Sequence, residues 1–72
     1  MSDYHRIYMK LTDLVERGHA VQLEKNHGEF EVTVFERWAA GNDHEHTNGE
    51  LLSEVMDVAH RKALARWPKE DD

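Results

Sequence analysis

From Tyr4 onward the apolar residues fall at Tyr4, Ile7, Tyr8, Leu11, Leu14 and Val15, the spacing that lines one side of an α-helix. Ser2 is placed to cap its start and Gly18 to end it in a left-handed conformation. The period then drops to two. Val21 and Leu23 alternate with polar residues before Asn26-His27-Gly28, and Phe30, Val32 and Val34 alternate after it. This predicts a hairpin running from His19 to Lys25 and from Glu29 to Trp38. Residues directly opposite share a face, so pairing Lys25 with Phe30 sets Leu23 against Val32 and Val21 against Val34; a slip by one residue would set Leu23 against Glu31. Two turns fit this register, His27-Gly28 alone or a four-residue loop from Asn26 to Glu29. The shorter one needs a left-handed His27, so the longer loop with Gly28 left-handed is expected.

A second helix is predicted to open at Thr47-Asn48-Gly49-Glu50, where Thr47 and Glu50 match a capping box. Its apolar stripe is Leu52, Val55, Met56, Ala59, Ala63 and Trp67, widened by Leu51, Val58 and Leu64. Pro68 stops it, and residues 69–72 form a charged tail. Ala39 to His46 is left as the one long loop. The expected fold is therefore α+β in the order α-β-β-α, a single domain over residues 1–72. A hairpin covered on one face still has two unpaired edges. The expected remedies are edge-to-edge pairing into a four-stranded sheet across a two-fold axis, a short third strand near Arg37 to Gly41, or packing of the second helix on its copy, with a homodimer as the expected state.

Composition adds a reason for association. The chain has 72 residues and no cysteine; at this size roughly 60% of the unfolded surface is buried, and no disulfide or thiolate metal site can compensate. The segment Met1 to Arg6 lacks the basic and apolar regions of a signal peptide. No apolar run approaches the ~20 residues of a membrane span, and a soluble cytoplasmic protein without a membrane association is expected.

Charge changes the picture more. Fifteen Asp and Glu stand against nine Lys and Arg, and the excess is concentrated in residues 41–60, where Asp43, Glu45, Glu50, Glu54 and Asp57 meet no Lys or Arg. Such a field suits a basic protein partner; direct nucleic-acid binding is not expected, since only Arg61, Lys62, Arg66 and Lys69 form a basic segment. Glu50, Glu54 and Asp57 fall at i, i+4 and i+7 as an acidic stripe on the second helix. The hairpin register also sets Glu24 opposite Glu31 and Ala20 opposite Phe35 on the outer face. Like charges in cross-strand contact are destabilising, so a face that keeps them beside an aromatic reads as a docking surface. The competing reading is a bulge that turns Phe35 inward.

Asp43-His44-Glu45-His46 sets four metal-ligating side chains in a row, with His44 and His46 the natural ligands. Neighbours in one loop need help to converge on an ion, which His5, His19, His27 or His60 would have to provide, and no H-E-x-x-H spacing specifies it. A metal- or small-ligand-binding module is accordingly the alternative to a protein-interaction module. Ser53 has no histidine or acid spaced to activate it, and no glycine-rich phosphate loop is present, so neither catalysis nor a cofactor is expected.

The hairpin followed by Thr47 to Trp67, in a short, acidic, cysteine-free chain, resembles small phage and mobile-element accessory proteins, including anti-CRISPR-like inhibitors. The resemblance implies a module that occupies the basic surface of a host nucleic-acid-binding protein or nucleoprotein complex. The strands before the Gly49 to Ala65 segment are also similar to a HicB-type antitoxin domain, but the helix before the hairpin departs from it. A double-stranded-RNA-binding domain likewise begins and ends with a helix. It has three strands and a basic start to the second helix, where this chain has Glu50, Glu54 and Asp57.

Overall fold

The computed structural model describes residues 3–36 and 43–68. Helix α1 (Asp3–Glu16) is followed by strands β1 (Ala20–Asn26), β2 (Glu29–Phe35) and β3 (His44–Gly49), and by helix α2 (Leu52–Arg66). The strands form one antiparallel sheet in the order β1-β2-β3, so the fold is α+β with the order α-β-β-β-α. No helix among the described residues is long and apolar enough to cross a membrane.

Gly18 closes α1 as its position predicts. At φ +98° it donates its N–H to the Val15 carbonyl at 3.0 Å, and His19 donates to the Leu14 carbonyl at 3.1 Å, the paired bonds of a Schellman motif. The cap expected of Ser2 lies outside the described residues. β1 and β2 then pair in the anticipated register, Lys25 with Phe30, Leu23 with Val32, Val21 with Val34. Their turn differs from expectation. Asn26 pairs with Glu29 and leaves His27 (φ 54°) and Gly28 (φ 81°) as a two-residue turn with both residues left-handed. Such a primed turn twists in the same sense as the strands it joins, and histidine is among the non-glycine residues that tolerate this region. The twist match outweighs the strain on one residue.

The larger correction is β3. It occupies His44–Gly49, where the sequence reading put the end of a loop and the start of a helix cap; the alternative site for a third strand, Arg37 to Gly41, lies outside the described residues. β3 alternates, but not in hydrophobicity: Glu45, Thr47 and Gly49 face the helices, and His44, His46 and Asn48 face away. Because Thr47 is a buried strand residue, the capping box with Glu50 does not form. α2 starts instead at Leu52 behind an extended Leu51, without a side-chain cap bond.

The core joins Leu14 of α1, Val32 and Val34 of β2, and Val55, Met56, Ala59 and Ala63 of α2. Both helices thus cover one face of the sheet. Ala59 and Ala63 keep α2 close to it, and at Gly49 an added Cβ would meet Val55 Cγ2 at 2.9 Å. Among the described residues no helix covers the other face of the sheet, and this is its open face.

Candidate functional site

The open face carries Ala20, Gln22, Glu24 and Asn26 from β1, Glu29, Glu31, Thr33 and Phe35 from β2, and His44, His46 and Asn48 from β3, since every second residue of paired strands shares a face. Three of these are carboxylates, and none is Lys or Arg. Lys25 belongs to the opposite face, with its ammonium 5.0 Å from the centre of the Phe30 ring.

Glu24 stands opposite Glu31, as the register requires. What relieves the repulsion is Asn26, whose amide Nδ2 lies 3.3 Å from Glu24 Oε1 and 3.3 Å from Glu31 Oε2. Gln22 donates a further bond to Glu24, His46 Nε2–H donates to Glu31 Oε1 at 3.0 Å, and Asn48 donates to Glu29 Oε1 at 2.9 Å. The His46 bond, followed by that from Asn26, holds the Glu31 carboxyl below the usual range. Amides and an imidazole orient these acids, and no Lys or Arg among the described residues pairs with them. A fixed, negative, cation-accepting surface results.

Phe35 closes one end of this face. It pairs in register with Ala20 and His44, so no bulge turns it inward, and its ring lies 5.8 Å from that of His44. Behind it the buried His19 shares its Nδ1–H between the carbonyls of Phe35 (3.2 Å) and Glu36 (2.9 Å), with its ring 5.1 Å from Trp67. The end of β2 is thereby fixed to the end of α2.

The other acids singled out in sequence are not one surface with these. Arg66 pairs with Asp43 at 3.5 Å and with Glu45, and Arg6 pairs with Asp57. The run that has no base along the chain gains two in space, and only Glu50 and Glu54 stay exposed without a partner among the described residues. The basic segment is drawn in as well: Lys62 donates to the His46 carbonyl and Arg66 to that of His44. The metal set does not assemble. His44 faces Phe35, His46 is bonded to Glu31, Asp43 and Glu45 hold Arg66, and no three His, Cys, Asp or Glu converge among the described residues.

Gln22, Asn26, Glu29, Thr33 and Asn48 are the members of the face that sequence reasoning left out. The hairpin register already put Gln22 and Thr33 on this face; Asn26 and Glu29, assigned to the expected loop, join it only through the two-residue turn, and Asn48 and the donor role of His46 depend on β3. A second concavity, a groove of about 790 Å³ between α1 and α2, is lined by Arg6, Lys10, Asp13, Asp57, His60 and Leu64 among others. Its acids are already bonded, Asp57 to Arg6 and Asp13 to His60 and Arg17.

Comparison with protein-family models, curated proteins and solved structures gives no match. The third strand removes one of the differences from a double-stranded-RNA-binding layout. The other persists, because α2 carries Glu54 in its first turn where a basic start would face phosphates.

Proposed function

We propose that the chain is a protein-interaction module that binds a lysine- or arginine-rich surface of a partner through the open face of its sheet. The observation that carries this reading is the Glu24–Glu29–Glu31 group, held by Gln22, Asn26, His46 and Asn48 with no Lys or Arg among the described residues of the same face. Oriented acceptors lose little freedom when a guanidinium or ammonium arrives, and bidentate arginine contacts favour paired carboxylates. Phe35 supplies an apolar anchor at the end of the acidic row. The natural partner is a nucleic-acid-binding host protein or nucleoprotein complex, whose basic surface the module would cover and thereby inhibit, in the manner of the phage accessory proteins it resembles.

The test is a heteronuclear NMR titration with an arginine-rich peptide, at low and high salt. Shifts are expected at Glu24, Glu29, Glu31, Phe35 and Asn48, weakening as salt rises, and disappearing in Glu29→Lys/Glu31→Lys. Shifts confined to Glu50 and Glu54, or an unaffected double variant, would move the binding surface to α2 and reject this one.

A further inference from the structure

The two outer strands of the sheet have unlike edges. A two-residue turn makes Asn26 and Glu29 a hydrogen-bonded pair, and the alternation along an antiparallel ladder then turns the N–H and C=O of Val21, Leu23 and Lys25 away from β2. Carried across β2, the same alternation turns those of His44, His46 and Asn48 to the outside of β3. There the margin is occupied, since Lys62 Nζ lies 3.2 Å from the His46 carbonyl and Arg66 lies 3.1 Å from that of His44. No side chain among the described residues bonds the outward groups of β1, and β1 is exposed from Gln22 to its end.

Apolar surface runs beside this open edge. Leu23 points to the helix side of the sheet yet is 45% exposed. Helix α1 packs on both α2 and β1, and it meets α2 with the side bearing Arg6, Lys10 and Asp13. At 100° per residue, Tyr4, Tyr8 and Val15 fall on the flank turned away from α2, where they are 83%, 65% and 55% exposed. That flank lies on the same side as the free edge of β1.

We propose that the occupant of this edge is a second copy of the chain, β1 against β1, antiparallel about a two-fold axis at Leu23. Leu23 is the middle residue of Ala20–Asn26, so this register uses the whole strand. It sets Leu23 on Leu23, Val21 on Lys25, Gln22 on Glu24 and Ala20 on Asn26. The outward backbone groups meet their own kind, and no like charges stand opposite. Gln22, which already donates to Glu24 within its strand, finds the same acceptor across the axis. A centre at Glu24 would oppose like charges, and one at Gln22 would draw the buried His19 into the ladder. The two α1 flanks then cover the Leu23 pair, and the sheet becomes six-stranded with one continuous open face. An isologous contact of this kind closes on itself and stops at two copies.

Sedimentation velocity and light scattering over a concentration series test it. The wild type is expected to reach twice the chain mass of 8.5 kDa. Leu23→Lys, which places a charge at the axis, is expected to weaken association about tenfold or more, about 1.4 kcal/mol. Lys25→Pro removes an outward N–H without touching the ladder to β2 and is expected to do the same. Leu51→Lys, at another exposed leucine (57%), should leave the dimer intact. Circular dichroism reports whether each variant folds; independently of them, hydrogen exchange on the wild type should show the Leu23 and Lys25 amides slowed at high concentration and fast on dilution. A species of single-chain mass at every concentration overturns the proposal. So does a dimer unchanged in both edge variants, or concentration-dependent protection at His44 and His46 instead. The Glu29→Lys/Glu31→Lys variant lies on β2, so partner binding and self-association are read separately.

Discussion

His60 Nε2 meets Asp13 Oδ2 at 2.7 Å, tying α2 to α1 through residues 47 apart. This bond, with that from Arg17 and the Arg17 charge, holds the Asp13 carboxyl below its ordinary value of 3.8 against the opposing effect of desolvation. A carboxyl depressed in the folded state contributes stability that is present above its unfolded pKa and is lost as pH falls through its folded one. Asp13 is 40% exposed, so the contribution is screened; Asp13→Asn is expected to lower stability at neutral pH by about 1 kcal/mol, roughly 4–8 °C in Tm. Thermal melts should show that difference vanishing once the pH is below the folded pKa. A difference that persists undiminished into strong acid would assign the loss to packing instead.

On the open face, Asn26 relieves the Glu24–Glu31 juxtaposition by bonding both. Asn26→Ala is expected to destabilise by about 0.5–1 kcal/mol, and Glu24→Gln in that background to restore most of it. Added salt should narrow the gap between Asn26→Ala and wild type, because screening replaces the bridging amide. Urea titrations of the single and double variants at two ionic strengths would reveal additive, salt-independent losses if the bridge did nothing.

Thr47 Oγ1 is buried without a hydrogen-bond partner among the described residues. Its side chain faces the core opposite Val32, so Thr47→Val exchanges an unsatisfied hydroxyl for a methyl of similar size. The variant is expected to be more stable by about 1 kcal/mol. A drop in Cm would mean that the hydroxyl has a partner, such as a bound water, in solution.

The turn offers a second gain. His27 is left-handed at φ 54° and precedes a left-handed Gly28, the geometry for which Asn-Gly is the favoured pair. His27→Asn is expected to stabilise by about 0.5–1 kcal/mol, with unchanged register as judged from cross-strand contacts between Leu23 and Val32. Loss of stability would show that the imidazole makes a contribution beyond the backbone.

The readable parts of the fold were those in which one face is apolar. Val21 and Leu23 against Val32 and Val34 fixed the hairpin register, and with it the opposition of Glu24 and Glu31 that became the centre of the open face. Gly18 was legible because only a left-handed residue ends α1 in this way. β3 was not, since His44 to Gly49 contains no apolar residue: its inward positions are a threonine, a glycine and a glutamate whose charge is met by Arg66, 21 residues later. A polar strand is held by its neighbours' backbone and by distant side chains, neither of which leaves a periodicity. The same blindness made the acids of residues 41–60 look like one uncompensated block, because Arg6 and Arg66 reach three of them only in space.

The meander has a consequence for the order of assembly. Strands adjacent in the chain are adjacent in the sheet, so the hairpin can form from near neighbours at small entropic loss, and β3 adds to it from the next segment. The seam between α1 and α2 is another matter, for its Arg6–Asp57 pair joins positions 51 apart. On loop-closure entropy the seam is expected to close after the sheet and to open before it, which hydrogen exchange at the α1 and α2 amides against those of β2 would check. Substitutions in the hairpin should therefore act mainly on the folding rate, and those at the helix seam mainly on the lifetime of the folded chain.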